Sequence, residues 1–255
     1  MKIQFISDLH FEFPQNVDFI NSSPLKAVGE VLVLAGDTGY LNDEKLPKMK
    51  FWEWTSSNFK HVLLVPGNHE FYNYADILSK GDSWCRMIKP NVGYYQNQVI
   101  RINDIDFILS TLWTDIPLNM HKHLRRRMND FRYILYGGRT FNTDDCIVEH
   151  KKCFSFIKQS VAESTAKHIV VVTHHLPTME VVPQNLIWDN LDCGYATELS
   201  DFIKKSHIDI WIHGHSHSCS DTIIGNTHIV SNQVGYTFYN QHMMGFEGNR
   251  WIEII

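Results

Sequence analysis

The chain has 255 residues, 44% apolar, 13% aromatic and 20% charged, the composition of an ordinary soluble globular protein and long enough for one large domain, 1–255, with a substantial core. Its net charge of −5 disfavours nucleic acid or an anionic membrane as partner, so an anionic substrate needs a local positive centre such as bound metal ions. Five cysteines without a C-x-x-C pair argue against a disulfide framework and a zinc ribbon, and no apolar run reaches the roughly 18 residues of a membrane span.

From the N-terminus, Met1-Lys2-Ile3-Gln4-Phe5-Ile6-Ser7-Asp8 brings a charge before any signal-peptide apolar region develops, so a reducing, cytoplasmic setting is expected. Short runs rich in Val and Ile predict buried strands over 2–7, 31–35, 61–65, 99–102, 106–110, 168–173 and 209–213. Phe51-Trp52-Glu53-Trp54 reads as helix packing rather than a base-stacking platform. A helix is predicted over 143–163, where Ile147, Phe154, Ile157 and Val161 recur near multiples of about 3.6 and Asp144 and Asp145 favour the start. A second covers 196–206. Near the end, 222–224 and 228–230 flank Gly225-Asn226 as a hairpin. Strands alternating with helices and then pairing with each other predict a layered α/β fold with helices outside; 71–167 reads as an elaboration of the same domain.

The predicted strands share a way of ending. Run 2–7 leads to Asp8-Leu9-His10, 31–35 to Gly36-Asp37, and 61–65 to Pro66-Gly67-Asn68-His69-Glu70; 168–173 leads to His174-His175, and the run before 213 to His213-Gly214-His215-Ser216-His217. Ligands collect at the carboxyl ends of strands in open α/β sheets, so Asp, Asn and His gather at one edge. The i, i+2 spacing of Asp8/His10 and of His215/His217 turns both members of each pair the same way if the backbone stays extended. Glycine before Asp37, Asn68 and His215 permits tight turns and close backbone approach. These residue types together suit two divalent cations with mixed nitrogen and oxygen ligands.

The order D-x-H, G-D, G-N-H-E, H, G-H-x-H, spanning 8 to 217, resembles the calcineurin-like metallophosphoesterases. The resemblance implies an α/β four-layer αββα sandwich with two metals at strand C-terminal ends. It assigns Asp8, His10 and His217 to one metal, Asn68, His174 and His215 to the other, and Asp37 to both. His69 would stand beside the leaving-group oxygen as acid or transition-state stabiliser. Manganese, iron, zinc or cobalt would fit, with manganese the first choice in vitro. Two such cations, roughly 3.5–4 Å apart, clamp a phosphoryl group and activate water.

The sequence also departs from the family. The second acid of G-D-x-x-D, which orients the catalytic histidine in several members, is replaced by Tyr40, so another carboxylate must hold His69 or it is held less tightly. Gly36-Asp37-x-x-Tyr40 is similar to the purple acid phosphatases, whose tyrosine binds ferric iron, although His10 stands where those enzymes have glycine; packing or hydrogen bonding near the site, on the substrate side, is the expected role of Tyr40, with iron ligation as the alternative. Leu41 and Pro66 occupy the places of two arginines in the serine/threonine protein phosphatases, and without them a phosphomonoester dianion lacks its grip.

The basic run 121–127 is expected to be a solvated helix face, with the alternative that one or two of Arg125, Arg126 and Arg127 reach the substrate. His175 is expected to line the substrate site, and His213 to pack. The expected activity is hydrolysis of a small phosphorylated substrate, leaning to phosphodiesters or nucleotide-type esters. Phosphomonoester hydrolysis is the alternative; a non-catalytic scaffold is disfavoured because all seven ligands and His69 remain.

Overall fold

The computed structural model describes residues 1–255. It contains strands β1 (Lys2–Ile6), β2 (Val31–Leu34), β3 (His61–Leu64), β4 (Trp84–Lys89), β5 (Val92–Gln96), β6 (Gln98–Ile102) and β7 (Ile105–Ser110). A small hairpin follows, β8 (Leu135–Tyr136) and β9 (Arg139–Thr140), then β10 (His168–Thr173), β11 (Ile210–His213), β12 (Asp221–Ile224), β13 (Thr227–Ser231) and β14 (Trp251–Glu253). Its helices are α1 (Pro14–Asn21), α2 (Lys50–Asn58), α3 (His121–Arg127), α4 (Asp130–Tyr133), α5 (Thr143–Glu163), α6 (Gln184–Trp188), α7 (Asp192–Tyr195) and α8 (Ser200–Lys205). None is long and apolar enough to cross a membrane.

Two six-stranded sheets carry the fold, in the orders β14-β1-β2-β3-β5-β4 and β12-β13-β11-β10-β7-β6. The interior pairs are parallel and the edge strands β14, β4, β12 and β6 are antiparallel. Strand alternation divides the core. Val31, Val33 and Ala35 pack with Phe107, Val170, Val172 and Ile212 between the sheets. Leu32 and Leu34 point the other way, onto Trp52 of α2. On the far side, Val171 and Trp211 pack with Ile157 of α5 and Ile203 of α8. Helices therefore cover both outer faces, giving the αββα sandwich, and strands buried on both sides read as continuous apolar runs.

The predicted strands and hairpin are present with small changes at their ends, and 143–163 is helical from end to end. Asn142 caps that helix by accepting from the amides of Asp144 and Asp145, while Asp145 accepts from the Asn142 amide. The second predicted helix is a correction: it begins at Ser200, because Ala196 pairs with Leu176 and the Glu198 carboxylate accepts from the Ser200 amide. Segment 71–167 supplies β4 and β5 to the first sheet and β6 and β7 to the second.

Candidate metal centre

The turns after β1, β2 and β11 do not stay extended. Asp8, His10, Asp37, His215 and His217 all have left-handed backbones, with φ of 57°, 48°, 54°, 74° and 52°. This corrects the expected extended D-x-H and H-x-H pairs; each such residue costs about 1–2 kcal/mol, a price met by the surrounding hydrogen bonds and packing. The flanking glycines are sterically required. A Cβ on Gly36 would lie 2.3 Å from the His174 ring, and one on Gly67 2.2 Å from the Asp37 carboxylate.

The result is two sets of converging donors. Asp8, His10, Asp37 and His217 form one and Asp37, His174 and His215 the other, with ligating atoms within 4.8 Å of one another in each set and Asp37 common to both. The Asn68 amide oxygen joins the second set, 3.0 Å from His174 Nε2.

Hydrogen bonding on the outer side of three of the four rings, His10, His217 and His174, fixes what faces inward, while His215 Nε2 is buried without a partner. His10 Nδ1 donates to Glu12 Oε1 at 2.9 Å and His217 Nδ1 to Gln241 Oε1 at 2.8 Å, an oxygen that also accepts from the Tyr236 amide. Both Nε2 atoms therefore carry lone pairs, and they face each other at 3.0 Å. His174 Nδ1 donates to the Ala35 carbonyl at 2.9 Å, which leaves its Nε2 3.0 Å from His215 Nδ1 and 3.3 Å from Asp37 Oδ1. Acceptors held that close are satisfied only by a cation or a shared proton. The donor set of imidazole, carboxylate and amide oxygen fits divalent manganese, iron, zinc or cobalt.

His69 stands at the edge of this cluster. Its Nδ1 lies 2.7 Å from Glu12 Oε1, the same oxygen that holds His10. Its Nε2 lies 3.3 Å from the Tyr236 hydroxyl. Burial favours the neutral ring, but Asp37 and Glu12 outweigh it and push His69 up to about 9. Burial likewise opposes ionisation of Glu12, and the His10 and His69 imidazoles overcome it, holding the carboxyl at about 2.

The calcineurin-like phosphoesterase family matches residues 1–219. The chain belongs to that family. It is a hydrolase acting on phosphate esters, in a family that depends on a dinuclear metal centre. A curated relative, an uncharacterised protein of Acanthamoeba polyphaga mimivirus, is 27% identical over 263 residues, covering 92% of this chain and 91% of its own. Among solved structures, phosphopantetheinyl hydrolase from Mycobacterium tuberculosis overlays 98% of this chain and 95% of its own, with a TM-score of 0.68 and 16% identity. At that identity the likeness is one of fold.

Around the candidate centre stand residues to which the sequence reading gave no role, Glu70 of G-N-H-E among them. Asp130 accepts from Asn68 Nδ2 at 2.9 Å and from the Tyr72 hydroxyl at 2.6 Å, turning the Asn68 oxygen inward. Glu70 accepts from the amides of Asp37, Thr38 and Gly67, tying the turns after β2 and β3 together. Burial, with Asp37 nearby, pushes its carboxyl up to about 7. Glu12, Tyr236 and Gln241 complete the set. Glu12 was recoverable as the acid two residues beyond D-x-H; Tyr236 lies in irregular chain and Gln241 opens a short 3-10 helix, neither with a local signal.

A cleft of about 240 Å³ opens over the centre, lined by Asp37, Asn68, His69, His215 and His217 among others. Of the three arginines, Arg127 alone lines it, 3.9 Å from Asp189; Arg125 and Arg126 are exposed, because Leu124 is the face that α3 buries. His175, expected at the substrate site, is instead buried with its ring 4.3 Å from His215 and 5.2 Å from Trp113, and it does not line the cleft. As the residue after His174 it turns aside, and burial followed by the His174 charge holds it down at about 3. Tyr40 is half-buried, bonds to none of the ligand side chains through its hydroxyl, and lines a second cavity beside His69. His213 packs as expected, buried and 2.8 Å from the Ser220 hydroxyl.

Proposed function

We propose that this phosphoesterase cleaves phosphodiesters, including nucleotide-type esters, at a two-metal centre held by Asp8, His10, His217, Asp37, Asn68, His174 and His215. The observation that carries the reading is Asp37, whose carboxylate belongs to both donor sets. Two divalent cations bound there supply the charge that holds a phosphoryl group and lowers the pKa of the attacking water.

The protein's own contribution is positional. Glu12 fixes the His69 ring through Nδ1, so that Nε2 faces the cleft beside the Tyr236 hydroxyl and can give a proton or hydrogen bond to the departing alkoxide. The left-handed turns and Glu70 hold the ligand-bearing loops in register before substrate arrives. The lean to diesters rests on cleft charge. Arg127 is its one arginine or lysine and stands close to Asp189, so a phosphomonoester dianion finds no arginine pair to grip it. All five cysteines are free, which supports a reducing, cytoplasmic setting.

The test compares bis-p-nitrophenyl phosphate with p-nitrophenyl phosphate on manganese-reconstituted protein beside a chelated control. Metal-dependent turnover favouring the diester, and lost in Asn68→Ala and His69→Ala, is expected. A preference for the monoester reverses the substrate reading. A phosphopantetheinyl ester belongs in the same panel because the solved neighbour of this fold bears that name.

A further inference from the structure

His69 is a wall between two cavities. On one side is the metal cleft; on the other is a cavity of about 330 Å³. Four residues, His69, Tyr72, Asn129 and Tyr236, line both, so the cavities adjoin along the side of the centre where the leaving group departs. The second cavity is aromatic and uncharged apart from His69. Tyr72 stacks on the His69 ring at 4.1 Å, and Tyr40, Tyr74 and Tyr133 continue the lining outward with no Lys, Arg, Asp or Glu among them.

The outer wall is held in an unfavourable conformation. Asn73 and Tyr74 both have left-handed backbones, at φ 59° and 60°, which is costly for a residue as bulky as tyrosine. The Tyr74 amide donates to the Tyr133 carbonyl at 2.8 Å and Asn42 donates to the Asn73 carbonyl at 2.7 Å, so two long-range bonds hold this stretch of backbone in place. Yet Tyr74 and Tyr133 remain 59% and 41% exposed, and the hydroxyls of Tyr40, Tyr74 and Tyr133 have no partner within the protein. Aromatic faces with free phenol and amide edges suit a flat, uncharged heteroaromatic ring, which stacks through its face and hydrogen-bonds through its rim. A second phosphate finds no cation here.

We propose that this cavity binds the base of a nucleoside on the leaving-group side of the scissile phosphate, so that the substrate lies across His69 with its phosphate in the metal cleft and its base among Tyr40, Tyr74 and Tyr133. The assignment rests on the diester reading only for which side of the phosphate the base occupies; binding of the base itself requires no turnover.

Adenosine is the probe, titrated calorimetrically into manganese-loaded protein with ribose as control. Adenosine binds and ribose does not; Tyr133→Ala, in a residue that lines this cavity and not the cleft, weakens adenosine about tenfold or more, and Tyr133→Phe restores most of the loss. Adenosine binding no better than ribose, or unmoved by both Tyr133→Ala and Tyr74→Ala, overturns the proposal. Hydrolysis of bis-p-nitrophenyl phosphate by the same preparation is scored separately. Adenosine binding without diester turnover counts against the diester reading and for the base subsite; turnover without adenosine binding does the reverse.

Discussion

The two halves of the metal centre are built differently. In the half formed by Asn68, His174 and His215, His174 is anchored to the Ala35 backbone carbonyl at the end of β2, and Asn68 to Asp130. In the half formed by Asp8, His10 and His217, both outer imidazole nitrogens are held by side chains, Glu12 in the turn after β1 and Gln241 at the start of a short 3-10 helix, far apart in the chain. In the first half the sheet sets His174, a carboxylate on α4 sets Asn68, and the outer nitrogen of His215 has no partner. The second depends on two loops meeting, and its anchor Glu12 is shared with His69, so the proposed metal ligand His10 and the proposed proton donor hang on one carboxylate. A strand end can place a ligand from local sequence, whereas a ring held by a side chain from another segment, as His217 is by Gln241, inherits its orientation from the whole fold.

The largest effect expected tests what the halves have in common. Asp37→Ala removes the donor belonging to both sets, so bound metal falls at both sites and turnover drops on the order of a thousandfold or more. Metal content by mass spectrometry beside kcat measures it, and loss at one site alone contradicts the shared carboxylate.

The asymmetry is tested next by Glu12→Gln. Loss of the carboxylate is expected to lower kcat by about 10- to 100-fold with little change in KM and to release metal preferentially from the His10 side, while Glu12→Asp recovers part of the activity. Equal release from both sites would place the coupling elsewhere.

Asp130→Ala is the counterpart on the other side. It frees the Asn68 amide to rotate and weakens metal there by about tenfold, with the protonation behaviour of His69 altered less than in Glu12→Gln. A pH profile of kcat for each variant reads the difference. A profile moved equally by both variants would erase the distinction between the halves.

The smallest change expected is in Tyr236→Phe, which removes the hydroxyl facing His69 Nε2 but keeps the ring packed 4.7 Å from His10. A few-fold fall in kcat at constant metal content is expected, as for the loss of one neutral hydrogen bond. A fall as large as that in Glu12→Gln would give the hydroxyl a direct part in proton transfer.

Much of this was visible in the residues before any fold was known. Consecutive Val and Ile runs ending in Asp, Asn or His predicted both the buried strands and the edge at which they deliver ligands. What escaped was of two kinds. The strands β4, β5 and β14 escaped because edge strands are half-exposed and β5 carries glycine and tyrosines, so neither resembles the central apolar runs. The backbone at the ligands escaped because an extended D-x-H and a left-handed one share the same letters. The substrate-side expectation for His175 failed because the chain turns immediately after His174, and one residue separates a ring in the donor set from one buried against Trp113.

By itself the sequence determined the family, the αββα class and the residues gathered at the strand ends, because burial pattern and ligand chemistry are properties of short segments. Only the tertiary structure decided which acid holds His69, which arginine reaches the cleft, and that an aromatic cavity adjoins it. Each of those depends on loops distant in the chain meeting in space, where one side chain's orientation is fixed by another's position rather than by its neighbours in sequence.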